Sequence, residues 1–309
     1  MVRVPDPRVE SVPRAVAACA FADDGSPAMQ SFQRHVGIDY SGAEAPETPI
    51  PGLRVSVCES GKPPEEVPGP HGKDRRWSRR ELAGWLESLL REEIPTIVGI
   101  DHALSFPLAY FERHGLALDW DAFLVDFQRH WPTDVDGCRV RDLRSGVGSP
   151  SSARTGETRW RREADRLCRA KSVFHFGVPG SVAASTHTGL PWILRLRRTL
   201  GTRLHCWPYD GWNPPIDASV IAEAYPAIYP GDPKEGALEV GLDEHRRDAR
   251  RVARWLAAAD ADGSLLRHLQ PGLNGDLLQA ARTEGWILGV HPSQADRSRG
   301  DRRAKPQSR

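Results

Sequence analysis

Two short apolar segments of this chain each end in an aspartate, and this repeated pattern is the strongest constraint on its fold. Residues 35–43 read HVGIDYSGA, and residues 96–103 read TIVGIDHA. A short apolar run bounded by turn-forming residues is typical of a buried strand. Two strands that end at one sheet edge would bring Asp39 and Asp101 together, where like charges repel unless a cation lies between them. The pattern therefore predicts an α/β sheet with a divalent-metal site at one edge.

Composition narrows the class of protein without indicating a partner. The chain has 309 residues, with 42 Lys and Arg against 41 Asp and Glu, so its net charge favours no partner. Its five cysteines are scattered and form no C-x-x-C pair, which argues against a disulfide framework or a structural zinc site. No apolar run approaches the roughly 20 residues of a membrane helix, and the proline-containing N-terminus is unlike a secretory signal. We expect a cytoplasmic protein with no membrane association.

The order of predicted elements begins strand, strand, strand, helix, strand. The strand ending at Asp39 is followed by residues 53–58, which alternate with period two, and by a possible third strand at Asp74–Trp77. Residues 60–73 are rich in Pro and Gly and predict a loop. Ser78 and Glu81 form a capping box at a helix start. Further helices are expected at 108–114, 122–130, 181–199, 243–260 and 276–284, and further strands at 204–207 and 219–226.

These elements predict one domain over residues 34–290, with a helical, Arg-rich insertion at about 108–200. Residues 1–33 are expected to be a poorly ordered lead-in. Residues 291–309 are basic and lack a hydrophobic anchor, which predicts a disordered tail.

Four acidic residues are candidates for metal binding. Asp39, Asp101 and Glu223 each close an apolar strand, and Asp248 begins an apolar helical stripe. Singly, a strand-terminal acid is more often a turn or capping residue, and Asp243 is better explained as a helix N-cap. Together they form a set of hard oxygen ligands, which select Mg²⁺ or Mn²⁺. Two such ions about 4 Å apart can promote phosphodiester hydrolysis, with Asp39 as the candidate to bridge them.

Several short motifs, in their order, resemble domain-of-unknown-function family 429, described as predicted nucleases of the ribonuclease H fold. The motifs are VGIDYS at 36–41, VGID at 98–101 with LSFP at 104–107, RLCR at 166–169 before VPGS at 178–181, AEAYP at 222–226 and RDA at 247–249. They cover about residues 34–262. The resemblance implies a mixed sheet whose first three strands are antiparallel, flanked by helices. It also implies a RuvC-like acidic metal site formed by Asp39, Asp101, Glu223 and Asp248. One motif departs from the family pattern. The helix motif at 247–249 has a single acidic residue, whereas such helices often carry two.

A basic segment is the candidate nucleic-acid contact. Arginines suit bidentate phosphate contacts, and a tryptophan can stack on a base. The alternative is an amphipathic helix with a solvated Arg face. His102 follows Asp101 and could assist proton transfer. The segment's candidate residues are Arg159, Trp160, Arg161, Arg162, Arg166, Arg169 and Lys171.

The expected function is two-metal hydrolysis of nucleic-acid phosphodiester bonds, and two alternatives stay open. The first is a phosphotransferase of the actin and sugar-kinase type, because residues 39–42 (DYSG) loosely resemble its phosphate turn. Against it, Tyr40 replaces the first glycine of that turn, and no later Gly-rich adenosine loop is evident. The second is a non-catalytic binding module on the same fold. The sequence leaves the substrate, the oligomeric state and the pathway open.

Overall fold

The structure is a computed structural model that describes residues 32–59, 61–146, 154–231 and 242–292. The predicted lead-in and basic tail lie almost entirely outside these ranges. Six strands are formed: β1 (Arg34–Asp39), β2 (Arg54–Glu59), β3 (Glu65–Glu66), β4 (Thr96–Ile100), β5 (Leu204–Cys206) and β6 (Ser219–Glu223).

The strands form one mixed sheet in the order β3-β2-β1-β4-β6-β5. The β1/β2 and β2/β3 pairs are antiparallel, whereas β1/β4, β4/β6 and β5/β6 are parallel. Because β1, β4 and β6 run in the same direction, their carboxyl ends meet at one edge of the sheet. The prediction of an α/β protein with a mixed, helix-flanked sheet is confirmed.

Nine α-helices are formed by the described residues, and they cover both faces of the sheet. In β4, Val98 and Ile100 pack into one hydrophobic cluster, whereas Ile97 packs into another on the opposite face. This alternation follows from the period of two along a strand. None of the helices in these ranges is long and apolar enough to span a membrane. The helices are α1 (Arg79–Arg91), α2 (Leu108–His114), α3 (Trp120–His130), α4 (Val140–Arg144), α5 (Glu163–Cys168), α6 (Ala183–Leu200), α7 (Glu244–Ala261), α8 (Leu265–Leu269) and α9 (Gly275–Glu284).

Glycines in the repeated strand motif allow α7 to lie against the sheet. Gly37 and Gly99 are paired neighbours on β1 and β4. A Cβ atom at Gly37 would lie 2.1 Å from the backbone oxygen of Ala249, and one at Gly99 would lie 2.6 Å from a methyl carbon of Val252. The absence of side chains at both positions therefore permits the close packing that brings Asp248 of α7 towards the strand ends.

Several local predictions are confirmed, and one strand assignment is wrong. Ser78 caps α1 in a full capping box, and Asp243 caps α7 through the amide of Arg246. The third strand, however, lies in the Pro-rich segment predicted to be a loop, where Glu65 and Glu66 pair with β2. Trp77 of the segment predicted as the third strand forms only an isolated bridge with Ile50. A two-residue strand carries too little periodicity to be recognised in the sequence.

Candidate acidic site

Three of the predicted acids lie side by side at the carboxyl edge of the sheet. Asp39 is the last residue of β1, Asp101 directly follows β4, and Glu223 is the last residue of β6. The amide of Asp101 donates to the carbonyl of Ile38 at 2.9 Å, so the parallel hydrogen-bond pattern continues through it. Register alone therefore brings these residues to one edge.

The fourth predicted acid, Asp248, reaches the same edge from α7. Burial raises the pKa of Asp101 well above its usual range, and the negative charges of Asp39, Asp248 and Glu223 raise it further. Burial likewise raises the pKa of Asp248 to about 6, with Asp39 adding to the effect. A negative charge raises the pKa of another carboxyl group in this way only at short range. The four acids therefore lie near this edge, and their convergence on one metal site stays a prediction.

A histidine that the sequence analysis did not select contacts one of these acids. Nδ1 of His245 lies 2.7 Å from Oδ2 of Asp39. Burial raises the pKa of Asp39, although His245 opposes this, and the hydrogen bond to Asp39 raises the pKa of His245. The spacing could have indicated this histidine, because His245 precedes Asp248 by three residues and the two are therefore neighbours on α7.

Glu223 differs from the other acids because an arginine neutralises it. Arg162 donates a hydrogen bond of 2.6 Å to each oxygen of Glu223 and a bond of 2.7 Å to Asp165. Arg162 is only 1% exposed, so its predicted role as a nucleic-acid contact is wrong. A run of arginines in a sequence does not reveal which member is buried. With both oxygens bound, Glu223 is not open to a metal ion in this arrangement.

The rest of the basic segment is only partly available to a ligand. Arg159 and Arg166 are exposed but form ion pairs with Glu157 and Glu163. Trp160 is half-buried and packs edge-on against Phe174. Arg161 and Arg169 are exposed, and Lys171 donates to the carbonyl of Pro179. Nucleic-acid contact by the exposed members stays a prediction.

His102 does not reach the acidic edge. It is 1% exposed, its Nδ1 lies 2.8 Å from the carbonyl oxygen of Ala103, and it lines a small cavity between the sheet, α1 and α6. Burial lowers the pKa of His102 to about 4. It is therefore a neutral core histidine, and its predicted part in proton transfer is not supported.

Two buried contacts attach the loops that carry the acids. Arg79 of α1 donates to the carbonyls of Ser41, Ala43 and Glu44 in the loop after Asp39. The amide of Ala103, in the loop after Asp101, donates to Thr186 Oγ1 in the first turn of α6. The amino end of α6 therefore lies beside this edge, where the positive end of its dipole favours negative charge.

The carboxylate oxygens of Asp39, Asp101 and Asp248 fit Mg²⁺ or Mn²⁺ by chemistry and by charge. Their mutual repulsion is the property that a bound cation would relieve, whereas Glu223 does not fit. No three His, Cys, Asp or Glu side chains among residues 32–59, 61–146, 154–231 and 242–292 are grouped closely enough to hold a metal ion.

Comparison with protein-family models, curated proteins and solved structures finds no match to this chain. The resemblance to family 429 therefore stays a prediction.

Proposed function

We propose that this chain is a divalent-metal-dependent nuclease with a sheet of the ribonuclease H type. The observation that supports the proposal is that Asp39 and Asp101 end neighbouring parallel strands at one sheet edge, where the charge of Asp39 helps to raise the pKa values of Asp101 and Asp248. The strand order, in which an antiparallel β1–β2–β3 meander joins parallel β4 and β6, supports the fold assignment.

In this proposal Asp39, Asp101 and Asp248 hold Mg²⁺ or Mn²⁺. When bound, the metal supplies an acidified water and stabilises charge on the leaving oxygen. Glu223 has a different role from the one predicted, because its pairing with Arg162 attaches the insertion to β6 rather than binding the ion. Three carboxylates remain as ligands.

Residues of this chain would orient the substrate and transfer a proton. His245 has its Nδ1 bound to Asp39, which leaves Nε2 to carry a proton towards a substrate oxygen. Half of its side chain is exposed, so a ligand can reach it. The amino end of α6 favours a phosphate at this edge.

The test is cleavage of labelled single-stranded, duplex and hybrid substrates in Mg²⁺ or Mn²⁺. Cleavage should disappear with chelator, with Asp39→Asn and with Asp101→Asn. Glu112→Gln is the matched control, because Glu112 is an exposed carboxylate of α2 with no ion pair among the described residues. Absence of cleavage on every substrate, together with no metal-induced change in Tm, would refute the proposal.

A non-catalytic nucleic-acid-binding module is the second candidate. It is favoured by the pairing of two of the four acids with His245 and Arg162. Such a module would bind nucleic acid equally well with and without chelator and would not cleave it. The phosphotransferase alternative also stays a prediction, and stabilisation by ATP would favour it.

A further inference from the structure

His245 and Ser41 both contact one position above a buried glycine in the turn before β2. A Cβ atom placed on Gly52 would lie 3.2 Å from Nε2 of His245 and 3.3 Å from Cβ of Ser41. A single small atom at this position would therefore touch both side chains. Because Gly52 has no side chain of its own, the position is left to an atom from outside the chain.

The groups around this position are suited to an oxygen atom. Nδ1 of His245 lies 2.7 Å from Asp39, so Nε2, on the other side of the ring, is the nitrogen that faces the position. An imidazole nitrogen and a hydroxyl can both hydrogen-bond to the same oxygen. Half of the His245 side chain is exposed and Ser41 is partly exposed, whereas Gly52 is buried. An oxygen atom of a bound substrate can therefore reach the position.

Ser41 is held in place through its backbone rather than through its hydroxyl. The buried guanidinium of Arg79 donates to the carbonyl of Ser41 at 3.3 Å. The next residue, Gly42, lies against the first turn of α6, where a Cβ atom would be 2.1 Å from the carbonyl carbon of Ala184. The Ser41 hydroxyl accepts a long hydrogen bond of 3.4 Å from the amide of Ala43. A group positioned in advance in this way loses little freedom when a substrate binds.

We propose that this position, the oxygen site formed by His245, Ser41 and Gly52, holds the sugar oxygen that leaves when the phosphodiester bond is cleaved. The inference rests on the proposed function and adds Ser41 to its catalytic residues. As the bond between phosphorus and the leaving oxygen breaks, its electron pair stays on that oxygen. The oxygen takes the proton from Nε2 and becomes a sugar hydroxyl. The Ser41 hydroxyl donates a hydrogen bond that stabilises the charge developing there.

The position of the oxygen site favours the leaving oxygen over the attacking water. The site faces Nε2, whereas Asp39 contacts Nδ1, so the imidazole ring of His245 separates the oxygen site from this carboxylate. In an in-line displacement the attacking and leaving oxygens lie on opposite sides of the phosphorus. A water that attacks from the side of the acids therefore places the leaving oxygen away from them, towards Nε2.

Replacing the leaving oxygen with sulfur tests this role. A thiolate leaves without needing a proton, whereas a sugar oxygen needs one. On an ordinary DNA or RNA strand, Ser41→Ala should lower kcat about tenfold to a hundredfold, and His245→Gln should lower it about a hundredfold or more. On a strand whose bridging 3′ or 5′ oxygen at the cleaved bond is sulfur, both variants should approach the wild-type rate. Gly52→Ala should slow cleavage of both strands, because its methyl group occupies the oxygen site.

Gly52→Ala is expected to fold. The φ angle of Gly52 lies outside the left-handed region, and the half-exposed ring of His245 can shift by the few tenths of an ångström that the methyl group requires. The rise in Tm with Mg²⁺ or Mn²⁺ should match that of the wild type in Gly52→Ala and Ser41→Ala. The matched controls Gly84→Ala and Ser88→Ala change other positions, on α1, and should leave kcat on both strands unchanged.

The outcomes separate this inference from the nuclease proposal. Asp101→Asn should lose cleavage of both the ordinary and the sulfur-containing strand. An equal loss on both strands with Ser41→Ala, or full activity of Gly52→Ala, would overturn the inference and leave the nuclease proposal standing. A wild-type protein that cleaves neither strand would refute both.

Discussion

Arg162 binds both oxygens of Glu223 with hydrogen bonds of 2.6 Å, and both side chains are almost completely buried. Arg162 stands at the N-cap of α5 in the insertion, whereas Glu223 ends β6 of the central sheet. The same guanidinium contacts Asp165 at 2.7 Å. The pair therefore connects the insertion to the edge of the sheet at which the strands carrying Asp39 and Asp101 end.

Replacing Arg162 with alanine should destabilise the protein strongly, because Glu223 and Asp165 would remain buried without their cation. Loss of one partner of a buried ion pair costs about 3–5 kcal/mol. Urea unfolding of Arg162→Ala measures this change. Arg161→Ala, at the exposed neighbouring position, should change the free energy of unfolding by less than about 0.5 kcal/mol. A similar, small effect of both substitutions would contradict the assigned role of the pair.

The acidic edge was predictable because strand register follows from local pattern. The repeated Gly-Ile-Asp motif indicated both strands and their terminal acids. Its positions require glycine because α7 packs closely against the sheet there. The pairing of Arg162 with Glu223 was not predictable, because it joins positions 61 residues apart across an insertion. His245 was missed because its contact with Asp39 depends on how α7 crosses the sheet.

Asp248 should make stability depend on pH in a defined direction. Its pKa is about 6 in the folded protein against an ordinary value of 3.8, chiefly because of burial. Since the folded state binds this proton more tightly, the contribution of Asp248 to the free energy of unfolding should be greatest below about pH 4 and fall as the pH rises through about 6. The contribution is at most about 3 kcal/mol. Urea unfolding across this pH range measures it.

Asp248→Asn should remove that dependence and be more stable than the wild type near neutral pH, by about 1–3 kcal/mol. The difference should shrink towards pH 4. Glu112→Gln, an exposed carboxylate change, should follow the wild-type profile. An Asp248→Asn profile parallel to that of the wild type would show that repulsion at this edge does not act through Asp248.

A bound divalent metal ion should relieve the repulsion between the acids and so stabilise the folded protein. An ion that binds only the folded state at about 100 times its Kd adds about 2.7 kcal/mol to the free energy of unfolding. We expect Mg²⁺ or Mn²⁺ to raise the Tm of the wild type and of Glu112→Gln, and chelator to abolish the effect. Asp39→Asn and Asp101→Asn should show little response. Equal stabilisation of all four proteins would place metal binding elsewhere.

Replacing two helical glycines with alanine should change stability in opposite directions, because only one of them faces a fixed neighbour. A Cβ atom at Gly189 of α6 would lie 2.2 Å from Nε2 of His102, whose ring is held by its contact with the carbonyl of Ala103. Gly189→Ala should therefore cost about 1–3 kcal/mol through overpacking. At Gly84 of α1 nothing lies within 4 Å of such an atom, so Gly84→Ala should add up to about 1 kcal/mol from helix propensity. Thermal unfolding of both variants tests the sign, and a stabilising Gly189→Ala would mean that His102 can move.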